Sequence, residues 1–71
     1  MYIYNRLRGK IREHFGNDHD FAQAIGIYDA TLSAKLNNKR EWKQGEISRA
    51  MQVLKIKPED AFNFFFDSLA N

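Results

Sequence analysis

The side chains that carry most covalent and acid–base chemistry are sparse in this chain. It has no Cys, so it can form no disulfide and no thiolate metal site, and it offers no thiol nucleophile. His14 and His19 stand isolated: neither has the carboxylate and second-ligand spacing of a metal site, nor a Ser or Cys partner spaced for nucleophilic catalysis. Gly9, Gly16 and Gly26 make no phosphate-binding fingerprint. The expectation is a protein that is not an enzyme and holds neither cofactor nor metal. What remains is recognition through charge and shape.

The charges are arranged for that. The net charge of +2 conceals blocks of alternating sign. Arg6, Arg8, Lys10 and Arg12 open the chain without an acid among them. From 13 to 34 the sequence carries Glu13, Asp18, Asp20 and Asp29 and no Lys or Arg. Lys35, Lys39, Arg40, Lys43, Arg49, Lys55 and Lys57 then outnumber Glu41 and Glu46, and Glu59, Asp60 and Asp67 follow. Phosphates and acidic surfaces would be drawn to some of these segments and repelled by others.

The elements that position these groups read as helices. A chain of 71 residues has room for one small domain, held by packing in the absence of disulfides. Leu7, Ile11 and Phe15 recur every fourth residue after Asn5, a good N-cap, so a first helix is expected over 6–15. Asp18 can cap a second helix, about 19–25, whose stripe of Phe21, Ala22 and Ile25 ends at Gly26. Ile27 anchors the turn, and Leu32 and Leu36 set one face of a third helix, 29–36. NNKREWKQ reads as a polar loop in which Trp42 serves as a lid on the core. Ile47, Ala50, Met51 and Leu54 give a fourth helix, roughly 44–54. Ile56 inserts into the core, and Pro58 with two acids after it starts a fifth helix, about 58–66. No apolar run is long enough to cross a membrane or to form a signal peptide, which suits a cytoplasmic protein.

The densest pattern is FAQAIGIYDATL. Two helices crossing over a tight turn need a small residue at their approach, a glycine in the turn and apolar anchors on both sides. Ala22, Gly26, Ile27 and Leu32 meet those needs at helix-turn-helix spacing. From NRLRGKIREHF through FAQAIGIYDATLSAKLNNKREW to EISRAMQVLKIKPEDAFNFFF, residues 4 to about 66, the chain resembles the Cro/C1-type helix-turn-helix family of phage repressors. It is most similar to the small Cro-like proteins of lysogeny modules in phages of Gram-positive bacteria, alongside their modulator-of-repression proteins. The resemblance implies an all-α, five-helix, lambda-repressor-like domain spanning residues 1–71, with helices 2 and 3 forming the helix-turn-helix.

In DNA-binding members of that family the third helix enters the major groove, while the start of the second helix and the loop after the third grip phosphates. The resemblance puts Tyr28, Asp29, Ala30 and Thr31 at the base-facing positions, with Ser33, Ala34 and Lys35 further along. Asp18 takes the phosphate-contacting position at the start of the second helix, often Gln in the family. Asn37, Asn38, Lys39 and Arg40, with Lys43 nearby, take the loop positions. An Asp in the groove can accept from a cytosine amino group, but it repels the surrounding phosphates, and Asp18 offers no donor to them. Asp18 and Asp29 are also natural N-caps for their helices. The Lys/Arg loop points the other way, toward DNA.

FNFFF, residues 62–66, puts more aromatic surface on a helix than one face can bury, so Phe64, Phe65 and Phe66 are candidates for an interface such as a homodimer. Two functions follow. The first is a transcriptional regulator of the lytic/lysogenic switch that binds operator DNA in the bacterial host's cytoplasm. The alternative is a modulator or antirepressor whose acidic helix 2–helix 3 face binds the DNA-binding domain of the cognate phage repressor.

Overall fold

In the computed structural model, which describes residues 1–68, Tyr4 opens the first helix from inside the core. Its carbonyl accepts from the Arg8 N–H at 2.8 Å, so α1 (Asn5–Phe15) begins one residue earlier than expected. Asn5 is therefore a residue of the helix and not its cap. Leu7 and Ile11 bury fully on one face, and Gly16, at φ 80°, ends the helix in the left-handed region where glycine carries no steric cost.

Helix α2 (Asp18–Ile25) follows at once, and its cap is Asn17 rather than Asp18: the Asn17 Oδ1 accepts from the Asp20 N–H at 2.8 Å. Asp18 and Asp20 lie inside the first turn, where a carboxylate favours the positive end of the helix without capping it. Phe21, Ala22 and Ile25 are solvent-free. Gly26, at φ 79°, reverses the chain, and its N–H and that of Ile27 return to the Gln23 and Ala22 carbonyls. Arg49 donates from Nε to the Ile25 carbonyl at 2.9 Å, placing a cation at the negative end of α2.

Helix α3 (Asp29–Leu36) is eight residues long, with Leu32 and Leu36 in the core. The fourth helix, α4 (Gln44–Leu54), inserts Ala50 and Leu54 and ends on Lys55, a non-glycine residue held at φ 56°. Helix α2 is the hub, packed against α1, α3 and α4. The fifth helix is shorter than expected. Pro58–Asp60 form one 3-10 turn, closed by the Asp60 N–H on the Lys57 carbonyl, and α5 proper is Ala61–Phe65. Residues 1–68 are thus all-helical, with five α-helices among them. Among the described residues the only β pairing is an isolated antiparallel bridge between Tyr2 and Ser68.

The aromatic run divides by helical position. Phe65 is 1% exposed and turns inward, edge-on to Trp42 with ring centroids 5.3 Å apart. Phe64 is half-buried against the core. Of the three phenylalanines expected at an interface, only Phe66 is on the surface, at 41% exposure. Phe62, four residues earlier and so on the same face, joins it at 67% exposure, the two rings stacked 6.0 Å apart. Trp42 does close the core, packed between Phe65 and Tyr4. No described helix is long and apolar enough to cross a membrane.

Candidate recognition surface

The Gly26 turn fixes the start of α3. Ile27 is packed against the core, so Tyr28 leaves the turn in extended conformation (φ −77°, ψ 155°) with its ring outward and 84% exposed. Tyr28 occupies the N-cap position of α3 without a side-chain cap bond, and Asp29 is the first helical residue rather than the cap. The Asp29 carboxylate turns instead to α2: the His19 Nδ1 lies 3.0 and 2.8 Å from its two oxygens. His19 is therefore not isolated. It clasps the first turns of two successive helices. The hydrogen bond to Asp29 is the main cause holding its imidazole above the ordinary histidine value; the charges of Asp29 and Asp20 add to this, and slight desolvation opposes it.

This clasp brings Asp18, Asp20, Tyr28 and Asp29 into one region at the leading ends of α2 and α3. Ala30 and Ser33 continue it as exposed positions and Thr31 is half-buried. No Lys or Arg occurs between Glu13 and Ala34.

Lys35 is the major departure from expectation. It does not reach the α3 surface: the residue is 1% exposed, with Nζ 2.8 Å from Glu46 Oε1 and donating to the Glu41 carbonyl at 2.7 Å. The ammonium also sits 5.9 Å from the Trp42 ring centroid. A Lys is rarely buried unless paired, and here Glu46 of α4 pairs it. Desolvation works against the Glu46 anion, but hydrogen bonds from Lys35 and from the Lys43 N–H, with the charges of both lysines, outweigh it and hold the carboxyl below the usual glutamate range. Burial thus removes the one cation of α3 from any partner.

The loop after α3 is likewise partly committed to the fold. Arg8 donates from Nη2 to the Leu36 carbonyl at 3.1 Å and to the Asn37 Oδ1 at 3.2 Å, while the Asn37 amide returns to the Ser33 carbonyl at 2.9 Å. Asn38, at φ 62°, clamps the Tyr2 backbone in both directions, each bond 2.8 Å. Lys39, Arg40 and Lys43 stay exposed, and among the described residues none of them has an ion-pair partner. The expected contact residues thus separate into an acidic region led by Tyr28 and, beyond the opposite end of α3, a small group of exposed cations. Sequence reasoning counted Asp20 in the acidic block without naming it a contact, and it missed the His19 clasp, which joins residues ten apart and has no signature until the two helices are packed. Among the described residues no cluster of three or more His, Cys, Asp or Glu could hold a metal ion.

A family model described as a protein of unknown function, DUF739, matches residues 1–68. No curated protein matches the chain. Among solved structures it is similar to the solution structure of the modulator of repression (MOR) of the temperate bacteriophage TP901-1 from Lactococcus lactis. The identity is 45% and the TM-score 0.80, over 92% of this chain and 88% of that one.

Proposed function

From the DUF739 family, to which this chain belongs, and its likeness to a phage modulator of repression, we propose that the protein is itself such a modulator. It retains the Cro/C1-type helix-turn-helix outline but uses it on a protein. The face formed by Asp18, Asp20, Tyr28 and Asp29 docks on the basic, DNA-reading surface of the cognate lysogeny repressor and competes there with operator phosphates.

The observation that carries this reading is the burial of Lys35. With its ammonium neutralised by Glu46, the exposed part of α3 presents Tyr28, Asp29, Ala30 and Ser33 and no cation, which phosphates would repel and a basic protein surface would attract. Tyr28 supplies what such interfaces use as an anchor: a large, rigid, amphipathic ring held clear of its own fold.

The test is fluorescence anisotropy with operator-region DNA and with the repressor's DNA-binding domain, each across a salt series. The expected result is saturable binding to the repressor, release of the repressor from DNA, and weakening of the complex by about tenfold or more for Asp18→Lys with Asp29→Lys. Saturable, sequence-specific DNA binding by this protein alone, with a steep salt slope, would instead establish the operator-binding reading, which the exposed Lys39, Arg40 and Lys43 support.

A further inference from the structure

Beyond the far end of α3 lies a cleft of about 660 Å³. Its lining includes Trp42, Ile47 and Phe65; Tyr2 and Phe66 come from the two ends of the described chain, and Lys39 and Arg40 from the loop. The volume falls in the ~300–1,000 Å³ range of sites that bury a ligand, enough for a few side chains but not for a folded partner.

The walls are built before any ligand arrives. Asn38 clamps Tyr2, Lys35 holds the Glu41 carbonyl, and Trp42 is wedged edge-on against Phe65. At the lip the apolar surface continues outward along Tyr2, Phe66 and Phe62, their rings successively 6.0 Å apart. Exposed aromatic surface continuous with a rigid cleft is the character of an interaction site.

We propose that this cleft binds a short acidic, amphipathic segment of a partner protein, its apolar side chains entering over Trp42 and Ile47 and its carboxylates meeting Lys39 and Arg40. Charge selects this occupant. Lys39 and Arg40 have no ion-pair partner among the described residues, and with Lys43 close in sequence they outweigh Glu41, the one acid lining the cleft. A second copy seated symmetrically would bring the same cations to the contact. Nucleic acid would need free ring faces for stacking, but Phe66 is already stacked on Phe62, and the Lys35 ammonium sits over the Trp42 ring. The site is separate from the Tyr28 face, at the other end of a helix about 12 Å long, so the two could be occupied together.

Trp42 is the sole tryptophan and lines the cleft, so its emission and its indole N–H resonance report occupancy directly. The probe is a short acetylated peptide with leucines at helical spacing and glutamates between them, together with a copy carrying glutamine for every glutamate. The expected result is a saturable Trp42 response, weaker by about tenfold for the glutamine copy and for Lys39→Glu with Arg40→Glu, at unchanged circular dichroism. Asp18→Lys, on the other face, should leave peptide binding unchanged, which separates failure here from failure of the modulator reading. Equal binding of the two peptides, or no response at millimolar peptide, overturns the proposal. A Trp42 response to duplex DNA in place of the peptide does so too, as does one driven by the protein's own concentration.

Discussion

Replacing Lys35 by Met tests whether the buried ion pair holds the loop after α3. The substitution keeps an unbranched side chain but leaves the Glu46 carboxylate with a single backbone donor, the Lys43 N–H at 2.9 Å, and frees the Glu41 carbonyl. Removing one partner of a buried pair costs about 3–5 kcal/mol; because Glu46 keeps that donor and a little solvent contact, the low end, about 3 kcal/mol, applies. A domain this small has only roughly 3–5 kcal/mol in all, so Lys35→Met should stand near its unfolding midpoint at 25 °C. The melting temperature should fall by about 12–24 °C. Glu46→Gln keeps an acceptor for both lysine donors but leaves the Lys35 ammonium buried without its counter-charge, so it too should lose about 3 kcal/mol. The double variant has no unpaired buried charge and should lie at least ~1 kcal/mol above the sum of the two losses. Urea melts followed by both far-ultraviolet circular dichroism and Trp42 emission measure all four corners of the cycle. A Lys35→Met protein within ~1 kcal/mol of the parent, together with additivity to ~0.5 kcal/mol, would refute the assigned role.

Other expectations follow from the same contacts. Because the folded Glu46 pKa is depressed, its contribution is complete above the unfolded glutamate value and is lost as pH falls through the lower folded value; acid melts should show this limb, and Glu46→Gln should remove it. His19 should titrate above a free histidine in a histidine-resolved NMR titration, and Asp29→Asn should move it down toward the ordinary value. Tyr28→Ala should weaken repressor binding about thirtyfold, a loss of ~2 kcal/mol, while moving stability by less than ~0.5 kcal/mol. Lys55→Gly should stabilise by about 0.5–1 kcal/mol, since Lys55 carries the strain of φ 56° and makes no described side-chain bond. At Asn38, φ 62°, the same change should destabilise by giving up the Tyr2 clamp.

The helical scaffold was largely legible in the sequence because its cause is local. Leu7 and Ile11, Phe21 and Ile25, and Leu32 and Leu36 repeat at turn spacing, and Gly16 and Gly26 mark the breaks with backbone angles that favour glycine. The errors lay where a side chain chose between two partners. Asn17 and Asp18 are adjacent, both able to cap, and the chain turned one residue sooner than the carboxylate suggested. Phe65 rather than Phe66 went inward because a helix of five residues presents only one of them to Trp42. Lys35 was least legible of all: its partner is on another helix, and a lysine beside Leu36 reads as a solvated head on an apolar stem until α4 brings Glu46 against it. The acidic face came through in outline, since an excess of one charge over 13–34 needs no tertiary contact to be counted, whereas the clasp that shapes it does.

The Tyr2–Ser68 bridge, with the Ile3 N–H on the Asp67 carbonyl, joins positions almost the whole described chain apart. Closing so long a loop carries the largest ordering entropy of any contact here, and little local structure offsets it. The bridge should therefore form late in folding. Helices α2 and α3, tied across ten residues, need no such closure. The two surfaces of the molecule accordingly differ in persistence: the Tyr28 face belongs to an early, locally assembled unit, while the Trp42 cleft exists only once the ends of the chain have met.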